Sequence, residues 1–281
     1  MRFLNSLFGG GIADLLTPPS HEMDIANEAS VRGFFKEHRP QLVINTAAYT
    51  GVDQAEKEGE KAFSANALGP GYLAACCRES GCKMLHISTD YVFSGKQKSP
   101  YIESDRALPC NTYGRSKFQG EQSVFRELPE AVIVRTSWVY GARGRNFLTA
   151  ILARARETGT LSVVADQYGA PCAVTGLAEA LFVIAEQMLG GRFEPGVYHY
   201  QTKPATTWFE FADTAIKEAF SQGVLDSASK VLPISSVEYP TSAARPAHAV
   251  LDASKLEQAL GCQMPDWRDE LVQVIRDLKK D

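Results

Sequence analysis

The feature that most restricts this chain is an alternation, through its first 165 residues, of bare apolar runs with stretches of helical period. Residues 41–45, 83–88, 131–135 and 161–164 read as strands, the first of them Gln41-Leu42-Val43-Ile44-Asn45. Helical stretches fall at residues 28–37, 61–79, 116–126 and 147–157. A strand that is apolar at every position must be covered on both faces, and strands separated by helices supply that cover in a parallel sheet. The expected fold is therefore α/β, a doubly wound, Rossmann-like parallel sheet that takes its ligands at the carboxyl ends of its strands.

Beyond residue 165 the regularity loosens. A long apolar helix is expected over residues 174–189, ending at Gly190-Gly191, and a strand over residues 196–200. Thr207 and Glu210 form a capping box that opens a helix running to Phe220. Turn-rich residues 239–246 and two helix candidates near Ser254 and Trp267 complete the chain. This pattern predicts a smaller C-terminal α/β lobe. Residues 1–165 would form the nucleotide-cofactor-binding domain and residues 166–281 mainly the substrate-binding lobe.

Charge and cysteine usage narrow the function classes. Twenty-nine Lys and Arg against thirty-three Asp and Glu give a net charge of −4, which argues against a nucleic-acid binder. The six cysteines include no C-x-x-C pair, so reduced thiols are expected and no metal-ligand cluster is visible. No apolar run reaches the roughly 18 residues of a membrane span. Polar residues interrupt the opening stretch, a poor secretory signal, so the cytoplasm is the expected location.

The most informative stretch is Tyr113-Gly114-Arg115-Ser116-Lys117, which sets a tyrosine and a lysine on one helix face. The lysine charge favours the phenolate and is expected to pull the tyrosine down from its usual pKa of about 10. Such a tyrosine can protonate a carbonyl oxygen as hydride arrives at the carbon. A solvated helix face would carry the same pair. Upstream, Ser88-Thr89-Asp90-Tyr91-Val92-Phe93 follows an apolar strand, so its hydroxyls sit at the ligand end of the sheet. One of them can share the substrate oxygen with Tyr113; alternatively Thr and Asp bond their own backbone in a strand-end turn. Asn45-Thr46-Ala47-Ala48-Tyr49 ends the preceding strand in small residues, which suits either a close cofactor or close packing.

Together these residues resemble the extended short-chain dehydrogenase/reductase superfamily and, within it, the dTDP-4-dehydrorhamnose reductase family. The matching words are residues 43–56, 88–93, 111–117, 135–140, 166–171 and 206–208, then Tyr239-Pro240-Thr241 with Arg245-Pro246. The resemblance implies reduction of the 4-keto group of dTDP-4-dehydro-L-rhamnose by NADPH or NADH, giving dTDP-L-rhamnose for surface polysaccharide. It implies Tyr113 as proton donor, Lys117 on the nicotinamide ribose and Thr89 at the substrate oxygen. Asp90 and Trp138 would line the sugar pocket, although Trp138 also fits a core aromatic. Asp24, Ile25, Ala48, Tyr49 and Thr50 would border the cofactor, and Arg245 suits a diphosphate through its two-pronged donors. Family members can form homodimers, and some bind magnesium.

One departure bears on the cofactor. The family opens with a strand and a glycine-rich loop whose amides hold the pyrophosphate at a helix N-terminus. Here the candidate is Gly9-Gly10-Gly11, without the G-x-x-G-x-x-G spacing, and only twelve residues separate Gly11 from Asp24. The expectation is a nucleotide half that is lost or completed by sequence upstream, with weak dinucleotide binding by the 281 residues alone. Two rival readings follow: a catalytically silent reductase-like binding protein, and another sugar-nucleotide enzyme such as an epimerase or dehydratase. Dehydratases resembling this family place an Asp-Glu pair after the threonine, whereas Asp90 is followed by Tyr91.

Overall fold

The computed structural model describes residues 15–279, and the Gly9-Gly10-Gly11 run lies outside the described residues. Six strands of at least four residues are present among them: β1 (Leu42–Asn45), β2 (Lys83–Thr89), β3 (Val132–Thr136), β4 (Thr160–Val164), β5 (Gly196–His199) and β6 (Lys230–Ile234). Strands β1, β2, β3 and β5 pair in that order, all parallel, with Asn45 opposite His86 and Thr89 opposite Thr136. The expected parallel α/β sheet is therefore present.

Successive strand residues point to opposite faces, and both faces are apolar. Met84 and Ile133 enter a core with Val31, Phe35, Leu73, Val124 and Leu128. These come from helices α1 (Glu28–His38), α2 (Gly69–Ser80) and α3 (Thr112–Glu127) and the end of α3. Leu85, Val132 and Val134 face the other way, onto Leu177, Leu181, Ile184 and Leu256.

Helix α3 starts at Thr112 rather than near Ser116, because the Asn111 side chain accepts the Gly114 N–H at 2.7 Å and caps it. Tyr113 thereby falls in the first helical turn. The single helix expected over residues 61–79 is instead three segments: Gly59–Phe63, a π-helical turn Ser64–Leu68, and α2. Pro70 has no N–H to give the Asn66 carbonyl four residues earlier, and the ladder shifts register there. Gly120 of α3 packs directly on this turn; a Cβ on it would lie 2.0 Å from the Asn66 carbonyl oxygen.

Segments from both sides of residue 165 pack together. Strand β4 leaves the main sheet and pairs with β6 in a separate two-stranded parallel sheet. With α4 (Phe147–Glu157), α6 (Trp208–Ser221) and α7 (Trp267–Leu278) it encloses a second core of Leu148, Leu152, Leu161, Phe211, Ile216, Trp267 and Leu271. Conversely α5 (Val174–Leu189) and β5 return to the main sheet. Among the described residues, the core on the α5 side of the main sheet and the core around β4 and β6 each take segments from both sides of residue 165.

Candidate active site

Because the strands are parallel, β1, β2 and β3 all end at one edge, at Asn45, Thr89 and Thr136. Thr89 is buried there. Its hydroxyl donates to Asp90 Oδ1 at 2.9 Å and accepts the Tyr91 N–H at 3.2 Å. The strand-end turn is thus real, and it does not exclude the other role, because Thr89 stands near enough to Tyr113 to oppose the rise in its pKa. The half-buried Tyr113 ring meets Tyr91 edge-on, with centroids 5.6 Å apart.

The expected depression of Tyr113 by Lys117 is absent. Burial pushes the tyrosine above its ordinary pKa, the neighbouring Thr89 opposes this, and the nearby Asp90 and Tyr91 add to it. The physical reason is the direction of the lysine. The Lys117 side chain runs along β2, and its Nζ donates to the Ile87 carbonyl oxygen at 2.6 Å. Burial pushes Lys117 down to about 8, against the opposing charge of Glu121. Tyr113 is consequently held as a neutral phenol, the form that can give a proton.

Asp90 is 2% exposed, and its Oδ2 has no hydrogen-bond partner. Burial raises it to about 7, opposed by the bonds from Thr89 and the local backbone. Arg245 reaches the same edge from the C-terminal part of the chain. It donates to the Tyr91 hydroxyl at 3.0 Å and to Asp53 Oδ2 at 2.7 Å. The Ala243 N–H adds a bond to Asp53 Oδ1 and the Asn111 side chain one to the Ala244 carbonyl, which pins residues 243–245 over the strand ends. The guanidinium fork assigned to a diphosphate by resemblance is thus engaged by Asp53 and Tyr91 here. Asp53 lies within a family-matching word, yet its partner is 192 positions away, so sequence gave no sign of the pairing.

Trp138 is half-buried with φ of 43°, a strained conformation for a bulky residue. Its ring stacks on Trp208 at 3.6 Å and 13°, and Phe147 leans on Trp208 at 4.5 Å. Gly169 makes room for it, since a Cβ there would lie 2.7 Å from the indole. This is the rim of the second core rather than its interior. Replacing Trp138 with Ala is expected to raise KM for the sugar nucleotide and leave the melting temperature little changed. Kinetics and melts on one sample check this; a loss of about 3–5 kcal/mol, the cost of truncating a core tryptophan, with unchanged KM would reject it.

On the cofactor side, Ala48 and Tyr49 are half-buried after β1 and Thr50 is exposed. Tyr49 is fixed at both ends: its hydroxyl donates to Glu58 at 2.6 Å, and its backbone N–H and carbonyl both bond the Asn66 side chain. Asn66 is fully buried and also donates to Ser116 Oγ at 2.9 Å, which ties the β1 loop to α3. Sequence reading missed Asn66; its signal was a polar residue inside an apolar helix, four before a proline. Ile25 packs on Gly69, one turn beyond Asn66, and the exposed Asp24 holds the Ala26 N–H at 2.9 Å. Magnesium finds no group of three or more metal-ligating side chains among the described residues.

Tyr113 and Lys117 thus lie one helical turn apart on α3, with Thr89 at the end of β2, on a parallel α/β sheet. The chain belongs to the RmlD substrate binding domain family, which matches residues 6–280. It is 39% identical over 266 residues to a dTDP-4-dehydrorhamnose reductase of Aggregatibacter actinomycetemcomitans, covering 94% of this chain and 90% of that one. A crystal structure of the Clostridium acetobutylicum dTDP-4-dehydrorhamnose reductase is similar with a TM-score of 0.90 and 33% identity, over 99% of this chain and 95% of that one. The Bacillus anthracis dTDP-4-dehydrorhamnose reductase in complex with NADP gives 0.84 and 36%, over 94% and 90%.

Proposed function

We propose that this chain reduces the 4-keto group of dTDP-4-dehydro-L-rhamnose with NADPH or NADH, giving dTDP-L-rhamnose. The observation that carries the reading is the hydroxyl pair of Thr89 and Tyr113 at the strand ends, with Tyr113 held neutral. When bound, the nicotinamide supplies the hydride. The residues present suit its ribose and ring: Lys117 is buried with one ammonium hydrogen on Ile87 and further donors to offer, and Ala47 and Ala48 leave the strand end open. The pyrophosphate is assigned to no residue, since Gly9-Gly10-Gly11 lie outside the described residues.

Tyr113 donates its proton to the ketone oxygen as that oxygen gains charge, and Thr89 holds the same oxygen. Trp138 and Trp208 offer a stacked aromatic wall to the sugar, with Asp90 beside it. Arg245 meets the diphosphate by exchanging Asp53 for phosphate oxygens. The same reading includes a homodimer and a cytoplasmic location; among the described residues no helix is long and apolar enough to cross a membrane.

Loss of nicotinamide absorbance with the 4-keto sugar nucleotide, together with product analysis by NMR, tests the reading. Sugar conversion without cofactor consumption would indicate an epimerase, and no reaction a silent binding protein. A pH dependence also follows. Lys117 carries its charge below about 8 and loses it above, so kcat/KM for the cofactor is expected to fall as pH rises through that value. A profile flat across it would remove Lys117 from the cofactor site.

A further inference from the structure

Arg245 brings a positive charge to the edge where β2 ends, and two acceptors hold it there. Its Nη1 donates to the Tyr91 hydroxyl at 3.0 Å and its Nη2 to Asp53 Oδ2 at 2.7 Å. The two acceptors are not equivalent. Tyr91 is half-buried and meets the Tyr113 ring edge-on, which places this contact one ring away from the proton donor. Asp53, in the short helix Val52–Ala55, is more open to water, its side chain 38% exposed against 24% for Arg245. Its other oxygen accepts the Ala243 N–H at 3.0 Å and does not depend on the guanidinium.

The backbone around Arg245 is fixed separately. On one flank the Asn111 side chain donates to the Ala244 carbonyl at 2.8 Å. On the other, Gly95, with φ of 72°, packs so closely that a Cβ on it would lie 2.3 Å from Pro246, and its carbonyl accepts the His248 N–H at 3.1 Å. With both flanks held, the arginine side chain is the part free to move. Asp53 is the partner it can leave, because that carboxylate keeps the Ala243 N–H and takes water in place of the arginine.

Resting on the reductase reading above, in which Arg245 meets the diphosphate, we infer that Asp53 is a built-in competitor for that diphosphate. It takes the guanidinium back as product leaves, and so sets how tightly the sugar nucleotide is held. An arginine side chain only 24% exposed is costly to leave without a counter-charge. Exchanging one anionic partner for another avoids that state throughout the cycle, with carboxylate before binding, phosphate oxygens after, and Tyr91 as the pivot. The consequence is weaker affinity. Part of the attraction between Arg245 and the diphosphate is offset by displacing Asp53, and the carboxylate left behind repels the incoming charge. A looser complex releases product sooner, since affinity differences of this kind lie mostly in the dissociation rate. A permanent brace predicts the opposite sign, because removing Asp53 would then disorient Arg245 and weaken binding.

Calorimetric titration with dTDP of the wild type, Asp53→Asn, Arg245→Gln and the double variant measures the exchange. Asp53→Asn is expected to bind dTDP about fivefold tighter, the upper worth of a partly exposed ion pair, with correspondingly slower release in stopped flow. Arg245→Gln is expected to bind it about 10- to 100-fold more weakly, and in that background Asp53→Asn should bring little gain. In the wild type, the guanidinium nitrogen resonances of Arg245 should shift on adding dTDP, a readout that does not require the Asp53 variant to fold. Equal or weaker dTDP binding by a folded Asp53→Asn protein overturns the proposal. So does a gain that persists without Arg245, or guanidinium resonances that stay in place. If Arg245→Gln binds dTDP as the wild type does, the diphosphate contact is wrong and the competitor role falls with it. If the wild type binds dTDP but reduces no keto-sugar, the reductase reading fails on its own, and the titrations still decide the exchange.

Discussion

Replacing Tyr113 with Phe is expected to cut turnover by about 10²- to 10⁴-fold, the usual worth of a positioned general acid, while sugar-nucleotide binding stays close to wild type. The change deletes one hydroxyl and keeps the ring that packs edge-on against Tyr91. Thr89 keeps its bond to Asp90 and so is not left unpaired. Steady-state kinetics and calorimetric titration with the sugar nucleotide separate catalysis from binding. A variant keeping more than about a tenth of the activity would mean that another group delivers the proton.

The largest stability effect is expected at Glu121, one helical turn after Lys117. Its carboxylate receives Arg135 Nε at 2.8 Å and Nη2 at 2.7 Å, and the two side chains are only 3% and 5% exposed. The bidentate pair links α3 to β3 behind the site. Glu121→Gln leaves a buried guanidinium without its counter-charge, which costs about 3–5 kcal/mol. Arg135 Nη1 already lacks a partner, so the site has little spare capacity to absorb the loss. Thermal and denaturant unfolding measure it, and the double change of Glu121 and Arg135 to Met should recover much of the stability. The same substitution removes the charge that opposes desolvation of Lys117, and so moves that lysine further down. A Glu121→Gln protein as stable as wild type would show the pair to be solvated in solution.

How much of this was legible in the sequence depends on the range of the interactions. The strands at 42–45, 83–89 and 132–136 were visible because two-sided burial writes an unbroken apolar run into each. Tyr113 and Lys117 were visible because four positions on a helix are always neighbours. The sequence could not show that Lys117 turns its ammonium to Ile87, nor that burial raises Tyr113, since both depend on what packs over them. That β4 finds its partner β6 seventy positions later was not legible, since no local pattern carries so distant a pairing. The pairing of Arg245 with Asp53, 192 positions apart, was likewise out of reach of any local pattern. Trp138 was left between two roles, and its stacking on Trp208, 70 positions on, lay beyond any local pattern.

The most direct measurement follows the hydride itself. The protein is supplied with the 4-keto sugar nucleotide and a nicotinamide cofactor carrying deuterium at the transferred position, and the product is read by NMR. One deuterium on the sugar carbon that bore the keto group, with none elsewhere on the ring and the new hydroxyl proton drawn from water, is the expected result. A product without deuterium at that carbon, or a sugar altered while the cofactor keeps its label, would contradict reduction at the Thr89–Tyr113–Lys117 site.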